Sequence, residues 1–135
     1  MQIRPLPFTF AAALLAAAGQ STALASVITW NNAAGGSAST AANWNPNQAP
    51  TAADDLTFSL IAAYPVTFGA TAAASRTMTF HEGTVTLTMT TAHTTSNGVT
   101  IGSSLGDNPV AALTTGAWNS TASVIIGNAI GAVGT

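Results

Sequence analysis

The chain has 135 residues, which is enough for one domain and leaves little room for a second. Only 4% of its residues are charged, against about 25% in an ordinary soluble domain, and 47% are hydrophobic. It contains no cysteine, which excludes disulfides and thiolate chemistry. With a formal net charge of -2 and no basic cluster, it is a poor match for nucleic acid or an anionic membrane surface.

The first 25 residues have the three parts of a secretory signal peptide in the correct order. Arg4 and the free amino group give a positive start, residues 8–18 are apolar, and Ala23-Leu24-Ala25 ends the segment with small residues at the two positions that a signal peptidase reads. The alternative, a core helix, does not explain these features together. The sequence therefore predicts a signal peptide over 1–25 and a secreted or cell-surface protein. No later apolar run reaches the roughly 18 residues that span a bilayer.

Residues 26–60 differ in composition from the rest of the chain and are predicted to form a cap-like segment. A short apolar strand ends at Trp30, and a long loop of small residues leads to Trp44. Two prolines then exclude a central strand or helix. The acidic pair Asp54-Asp55 follows, directly before an alternating strand.

Over residues 61–135 apolar side chains alternate with threonine, which is typical of strands with one buried face. Glycine or Asn-Gly ends most of these runs, where turns need positive φ. No window has helical spacing, so the chain is predicted to be all-β, with the threonines facing solvent. The residues predicted to face the core are Val66, Phe68, Met78, Phe80, Val85, Leu87, Met89, Val99, Ile101, Val124 and Ile126.

A repeat in the last third of the chain indicates a parallel β-solenoid, or β-helix. The segment Val99-Thr100-Ile101-Gly102 is echoed 25 residues later by 124–127, and a glycine-rich run follows each copy. Chance similarity in a Thr/Ala/Gly-rich background is the alternative. The glycine turn before Thr135 leads us to expect incomplete solenoid repeats over 61–135, a longer parent protein, weak order in the last thirty residues and self-association through an open solenoid end.

The tryptophans and the acidic pair also form a recognisable pattern directly after the signal peptide: Trp30, Asn43-Trp44, Pro50, Asp54-Asp55 and Phe58. With the later VTIG and VIIGNAIGAVGT segments, this pattern resembles the N-terminal region of bacterial exported proteins with autotransporter-associated β-strand repeats. The resemblance implies a right-handed parallel β-helix, a surface location and an adhesive or passenger-stalk role. It carries no catalytic residues. The chain departs from that family in being short and in having no translocator or sorting signal.

The acidic pair Asp54-Asp55 has two interpretations. Together with Asn43, Asn45 or Asn47 it could supply oxygen ligands to calcium. It could instead cap a turn that enters the following strand. The spacing matches no calcium loop, which favours the turn.

The two histidines give a weak signal for chemistry. His81-Glu82 precedes a glycine at the tip of a hairpin or the corner of a coil, and His93 stands alone. Acid–base catalysis needs a positioned partner and a pocket, and neither histidine has metal-ligand spacing. Both are therefore predicted to be exposed turn residues.

Two surfaces could bind a ligand. Trp30, Trp44 and Trp118 could form a sugar-stacking platform, although the first two are equally suited to covering the end of a sheet. Rows of Thr-x-Thr could bind ice, but the repeat offers only Thr100 and then Ile125 at the matching position.

Together these features predict a non-catalytic structural or adhesive β-solenoid segment that needs no metal or cofactor. Its candidate ligand-binding or capping residues are Trp30, Trp44, Asp54 and Asp55, and its candidate partners are polysaccharides or cell-surface components. The alternatives are a carbohydrate-binding β-sandwich, an ice-binding solenoid and a polysaccharide-degrading β-helix. The last needs a cluster of carboxylates or basic residues, which four acids and one remaining arginine hardly supply.

We expect the exported protein to begin at Ser26, because the small residues at 23 and 25 direct cleavage after Ala25. Mass spectrometry of material recovered from an exporting bacterial host measures this directly. Recovery of that material with Met1 still attached would contradict the prediction.

Overall fold

The computed structural model describes residues 24–127 and 133–135, so the predicted signal peptide, apart from its last two residues, lies outside the described residues. The described chain is almost entirely strand, with two 3₁₀ helices at Ala41–Asn43 and Ala70–Ala72. No helix in these ranges is long and apolar enough to cross a membrane. The strands are β1 Val27–Trp30, β2 Gly36–Ser37, β3 Trp44–Asn45, β4 Asp55–Phe58, β5 Ala63–Phe68, β6 Ala74–Ser75, β7 Thr77–Phe80, β8 Thr84–Met89, β9 His93–Thr95, β10 Val99–Ile101, β11 Val110–Thr115, β12 Trp118–Ser120 and β13 Val124–Ile126.

The strands form three sheets, each running along the stack of turns. Sheet A has the order β13-β10-β7-β4-β1-β3, sheet B has β11-β8-β5-β2, and sheet C has β12-β9-β6. Every described pairing is parallel except that of β1 with β3. From β4 to β12 each turn of the chain adds one strand to sheet A, one to sheet B and one to sheet C in that order, and the whole stack is a β-solenoid of about four turns. This confirms the predicted fold class, and the architecture is not the β-sandwich of the carbohydrate-binding alternative.

The corners between sheets depend on glycine where two turns of chain come close together. Gly83 joins β7 to β8 with φ +77, and a Cβ at this position would lie 2.2 Å from the carbonyl oxygen of Leu60 in the turn below. A side chain is excluded there by both the backbone conformation and the space. The residues around Gly83 therefore form a solenoid corner rather than the tip of a hairpin, the two options that the sequence left open.

The register of sheet A places like residues above one another. Val99 is paired with Val124 and Ile101 with Ile126, so the repeat detected in the sequence is a structural repeat. Phe58 is paired with Phe80, and their rings stack 4.7 Å apart with an interplanar angle of 8°. The hydrogen-bonded strands and the stacked side chains thus share one spacing.

The inward alternation predicts most of the core correctly. Nine of the eleven predicted core residues are buried, with exposed fractions of at most 6%: Val66, Phe68, Met78, Phe80, Val85, Leu87, Met89, Val99 and Ile101. The prediction is wrong for Val124 and Ile126, which are 58% and 57% exposed. Both belong to β13, the edge strand of sheet A, which has a neighbour on one side only. The alternating threonines of β7 and β8 are half-buried or exposed, as predicted.

Segment 26–60 contributes strands to the solenoid itself. Its strands β1 and β4 pair in parallel in sheet A, and β2 pairs with β5 in sheet B. Within the same segment, β3 turns back and pairs antiparallel with the outer edge of β1. The segment therefore supplies both the first turn and a strand that covers its edge; we call the end formed by β1, β2 and β3 the covered end.

Candidate functional site

The tryptophans do not form one surface. Trp30 and Trp44 are 0% and 1% exposed, and their rings meet edge to face at 5.0 Å inside the covered end. The Trp44 indole Nε1 donates a hydrogen bond of 2.8 Å to the carbonyl oxygen of Ala38. Trp118 packs on Phe80, with ring centroids 5.8 Å apart, towards the other end of the solenoid. A sugar ring cannot stack on faces buried in this way, so the burial of Trp30 and Trp44 favours the capping interpretation.

The carboxylates of Asp54 and Asp55 have separate partners. Asp54 is 3% exposed and accepts hydrogen bonds from Ser26 and Thr51. Asp55 forms an ion pair with Arg76 and accepts a hydrogen bond of 2.7 Å from Thr77 Oγ1. Because the two carboxylates face different residues, they do not converge on one point as calcium ligands must.

Of the three asparagines considered as further calcium ligands, Asn43 has other contacts. Asn43 donates to the carbonyl oxygen of Ser37 and accepts from Asn32. Within residues 24–127 and 133–135, no group of three or more His, Cys, Asp or Glu side chains is placed to hold a metal ion.

Burial and hydrogen bonding act in opposite directions on the carboxyl group of Asp54. Burial disfavours the charged form, but the hydrogen bonds from Ser26 and Thr51 outweigh it and hold the pKa of Asp54 below its ordinary value. Asp54 is therefore an ionised carboxylate under a nearly closed surface. Its donors come from two separate stretches of chain, so the side chain ties the start of the solenoid to the loop before β4.

A Ser/His/Asp group lies at a corner near the other end. His81 Nδ1 lies 2.9 Å from Asp107 Oδ2 and 3.0 Å from Ser103 Oγ. In a catalytic triad the acid and the hydroxyl contact opposite nitrogens of the imidazole; here both contact the same one. The group links one turn of the solenoid to the next and does not have the geometry of an activated nucleophile.

The prediction that His81 is an exposed turn residue did not include this contact. Asp107 lies 26 residues further along the chain, about one turn of the solenoid, so only the stacking brings the pair together. Burial opposes ionisation of Asp107, while His81 and the backbone amides of Ser103 and Ser104 favour it. The net effect lowers the pKa of Asp107.

The prediction that His93 is an exposed turn residue is wrong. His93 lies on β9, is 0% exposed and packs its ring against Phe68 at 4.7 Å. Its Nδ1 lies 2.8 Å from the carbonyl oxygen of Ala72, and its Nε2 lies 3.0 Å from Ser75 Oγ. These contacts fit a neutral imidazole whose Nδ1–H donates to the carbonyl and whose Nε2 accepts from the hydroxyl. Burial lowers the pKa of His93 more than the bond to Ala72 raises it.

The outer face of sheet A carries one regular row of hydroxyl groups. The register pairs Thr29 with Thr57, Thr57 with Thr79, and Thr79 with Thr100. Adjacent members are separated by about 4.8 Å, the distance between hydrogen-bonded strands. We call these four residues the threonine ladder. The next position in the row is Ile125.

The neighbouring row on the same face is not regular. It consists of Val27, Asp55 and Thr77. A flat two-row array of Thr-x-Thr pairs, which the ice-binding alternative requires, is therefore absent from the described part of this face.

The end opposite the covered end, formed by β11, β12 and β13, is here called the open end. A groove of about 280 Å3 lies in it, lined by residues from all three sheets. The lining residues are Val99, Ile101, Leu113, Trp118, Ser120 and Val124. The groove is thus a continuation of the solenoid interior. Residues 133–135 lie beside β11, where the amide of Ala111 donates to the carbonyl oxygen of Thr135 at 2.9 Å.

Comparison with known proteins finds no matching family model, no matching curated protein and no matching solved structure.

We expect the burial of neutral His93 to make the protein less stable as pH falls below about 6.5. An unfolded histidine takes up a proton near its ordinary pKa of 6.5, whereas the folded one resists protonation because its pKa is lowered. The unfolded state therefore binds more protons, and the free energy of unfolding should rise with pH below that value, by at most about 1.4 kcal/mol per pH unit. Above it, this contribution is constant.

Urea unfolding between pH 5 and 8, on the wild type and His93→Asn, measures this effect. Asparagine can keep the hydrogen bond to Ala72 but does not titrate, while His81 is present in both proteins. The variant should lose the slope between pH 5 and 6.5. An equal slope in the two proteins would show that His93 is not its source.

Proposed function

We propose that this chain is a non-catalytic, exported structural or adhesive β-solenoid segment of a secreted or surface protein. The observation that carries the proposal is the stack of about four turns, whose interior is filled with apolar side chains and whose long faces display neutral hydroxyl groups. Such a stack is a rigid rod that offers an extended surface. The signal-peptide pattern of residues 1–25 supports its export.

The adhesive part of the proposal uses the threonine ladder. Hydroxyl groups held at a regular spacing on a flat sheet can donate to and accept from the hydroxyls of a polysaccharide without a deep pocket. Each member lies on a strand that is paired on both sides, and for Thr29 at the covered end the outer neighbour is the short antiparallel strand β3. These side chains are therefore already ordered in the free protein, so that binding a ligand costs less conformational entropy.

The ladder also lies beside the ion pair of Asp55 with Arg76. This ion pair places one carboxylate and one guanidinium next to an otherwise neutral face. The neutral row remains the larger part of that surface, which suits a neutral polysaccharide better than a charged one.

The function is tested by sedimentation with insoluble cellulose and with peptidoglycan. We expect wild-type protein to be retained by one of them, and the double variant Thr57→Val with Thr79→Val to lose about tenfold in affinity, because two hydrogen bonds are worth about 0.5–1.5 kcal/mol each. Valine keeps the shape and strand preference of threonine. The matched control is Thr86→Val with Thr88→Val on sheet B, which should bind as the wild type does. No retention of the wild type, or equal losses in both variants, would contradict the adhesive role.

We also propose that the chain associates with a second copy of itself, open end to open end. The open end exposes Val124, Ile125 and Ile126 by 58%, 39% and 57%. In the preceding turn the residues paired with Val124 and Ile126, which are Val99 and Ile101, are only 4% and 6% exposed, so another β-solenoid surface is the occupant that continues the existing interface. Residues 108–135 include no charged side chain to oppose such contact.

The arrangement of the two ends decides which surfaces meet. At the covered end β3 occupies the edge of β1 and Trp44 is buried, so that end offers the open end little matching surface. Contact between two open ends uses the same patch on both copies, which closes a dimer and does not propagate into a filament.

Sedimentation velocity over a range of concentrations tests the dimer. The double variant Val124→Thr with Ile126→Thr keeps β-branched residues but removes methyl groups from the patch, and should weaken dimerisation by about tenfold or more, since each buried CH₂ or CH₃ contributes about 0.8 kcal/mol. Val27→Thr is the matched control: Val27 is an exposed valine, 63% accessible, at the covered end. A monomeric wild type, or an equal effect of the control, would contradict the proposal.

A further inference from the structure

The start of the solenoid is attached to a buried carboxylate. Asp54 Oδ1 accepts hydrogen bonds from Ser26 Oγ at 2.7 Å and from the Ser26 backbone nitrogen at 3.3 Å. Asp54 Oδ2 accepts from the Thr51 backbone nitrogen and from Thr51 Oγ1, both at 2.8 Å. The carboxylate is therefore enclosed by two residues, and one of its contacts is the peptide nitrogen of the residue that follows the predicted cleavage site.

All four of these donors are neutral, although the carboxylate is only 3% exposed. In the described ranges Arg76 pairs with Asp55 and His81 contacts Asp107, so neither of these basic side chains is a partner of Asp54. A buried carboxylate without a positive partner forgoes most of the stabilisation that an opposite charge at hydrogen-bond distance supplies. The nitrogen of Ser26 already occupies the position that such a charge would need.

We propose that cleavage after Ala25 turns this nitrogen into a positively charged amino group that pairs with Asp54 and locks the first turn of the solenoid. The inference rests on the proposed export and processing. In the reaction water adds across the Ala25–Ser26 peptide bond: its oxygen bonds to the Ala25 carbonyl carbon, the C–N bond breaks, and the nitrogen keeps its hydrogen and gains two protons. One comes from the water and one from the new carboxyl group, so Ala25 leaves as a carboxylate and Ser26 as an ammonium group.

The surroundings allow both the cleavage and the pairing. Leu24 is 88% exposed and Ala25 is also exposed, so the peptide bond is accessible to a peptidase. On the other side of the bond, the Ser26 carbonyl oxygen accepts a hydrogen bond of 2.8 Å from the amide of Asp55, and Gln48 Nε2 donates to Ser26 Oγ at 2.9 Å. These contacts do not involve the bond that breaks, so they hold Ser26 beside Asp54 after processing.

The composition provides a selective probe for this amino group. The two Lys or Arg residues of the chain are Arg4 and Arg76, so the chain has no lysine and the processed protein has one amine, that of Ser26. Acetic anhydride at limiting concentration acetylates an amine only in its neutral form. A carboxylate within hydrogen-bond distance favours the charged form by about tenfold or more, and it should slow acetylation by the same factor.

The experiment exports the full chain from a bacterial host, establishes the N-terminus by mass spectrometry and follows acetylation of the folded protein by the same method. We expect Asp54→Asn to react about tenfold faster than the wild type. Asp55→Asn is the matched control: it makes the same change of charge at the neighbouring residue, whose carboxylate faces Arg76, and it should react at the wild-type rate. Equal rates in the wild type and Asp54→Asn would overturn the inference.

A second measurement decides the matter if Asp54→Asn does not fold. The wild-type protein is unfolded in urea before and after complete acetylation, and loss of the ion pair should increase its unfolding equilibrium constant about tenfold. An unchanged constant would overturn the inference even with Ser26 at the N-terminus. Exported protein that still begins at Met1 would instead overturn the proposed processing, and the inference with it, so the two failures are distinguishable.

Discussion

The in-register parallel stacking of sheet A is the constraint on which the rest of this structure depends. Neighbouring strands lie about 4.8 Å apart, and the rings of Phe58 and Phe80 stack at 4.7 Å in paired positions of β4 and β7. One spacing therefore satisfies the backbone hydrogen bonds and the side-chain packing together. If a turn slipped by one residue, every threonine on that strand would face inward and every apolar residue outward.

The same constraint makes the two ends of the molecule chemically different. A stack of equivalent turns leaves one unpaired strand edge per sheet at each end. At the covered end the antiparallel strand β3 pairs with the edge of β1, and the indole of Trp44 is buried there. Asp54 also links the loop before β4 to Ser26 through hydrogen bonds. At the open end the described residues present the apolar side chains of β13. The proposed pairing of Ser26 with Asp54 lies at the covered end, and the proposed association of two copies of the chain lies at the open end.

Sequence reasoning predicted the fold and most of the core because both follow from local alternation. It failed where burial depends on contacts between turns. His93 stands in the segment His-Thr-Thr, which has no apolar residue to indicate an inner face, and its partner Ser75 lies 18 residues earlier. His81 likewise contacts Asp107 only because successive turns stack on one another. Val124 was misplaced for the opposite reason: its alternation is correct, but alternation does not reveal that β13 is an edge strand. For Asp54 the turn interpretation anticipated a capping side chain, but nothing in the local pattern indicated that Ser26 would be its partner.

The central claim, that successive turns stack in parallel, is tested most directly by nuclear Overhauser contacts within residues 26–135. The account predicts backbone and ring contacts from β7 to β4 and to β10, including Phe58 with Phe80, and no cross-strand backbone contacts between β7 and β8, because Gly83 forms a corner between two sheets. Antiparallel contacts between β7 and β8 would identify a hairpin in place of a solenoid turn, and would contradict the account.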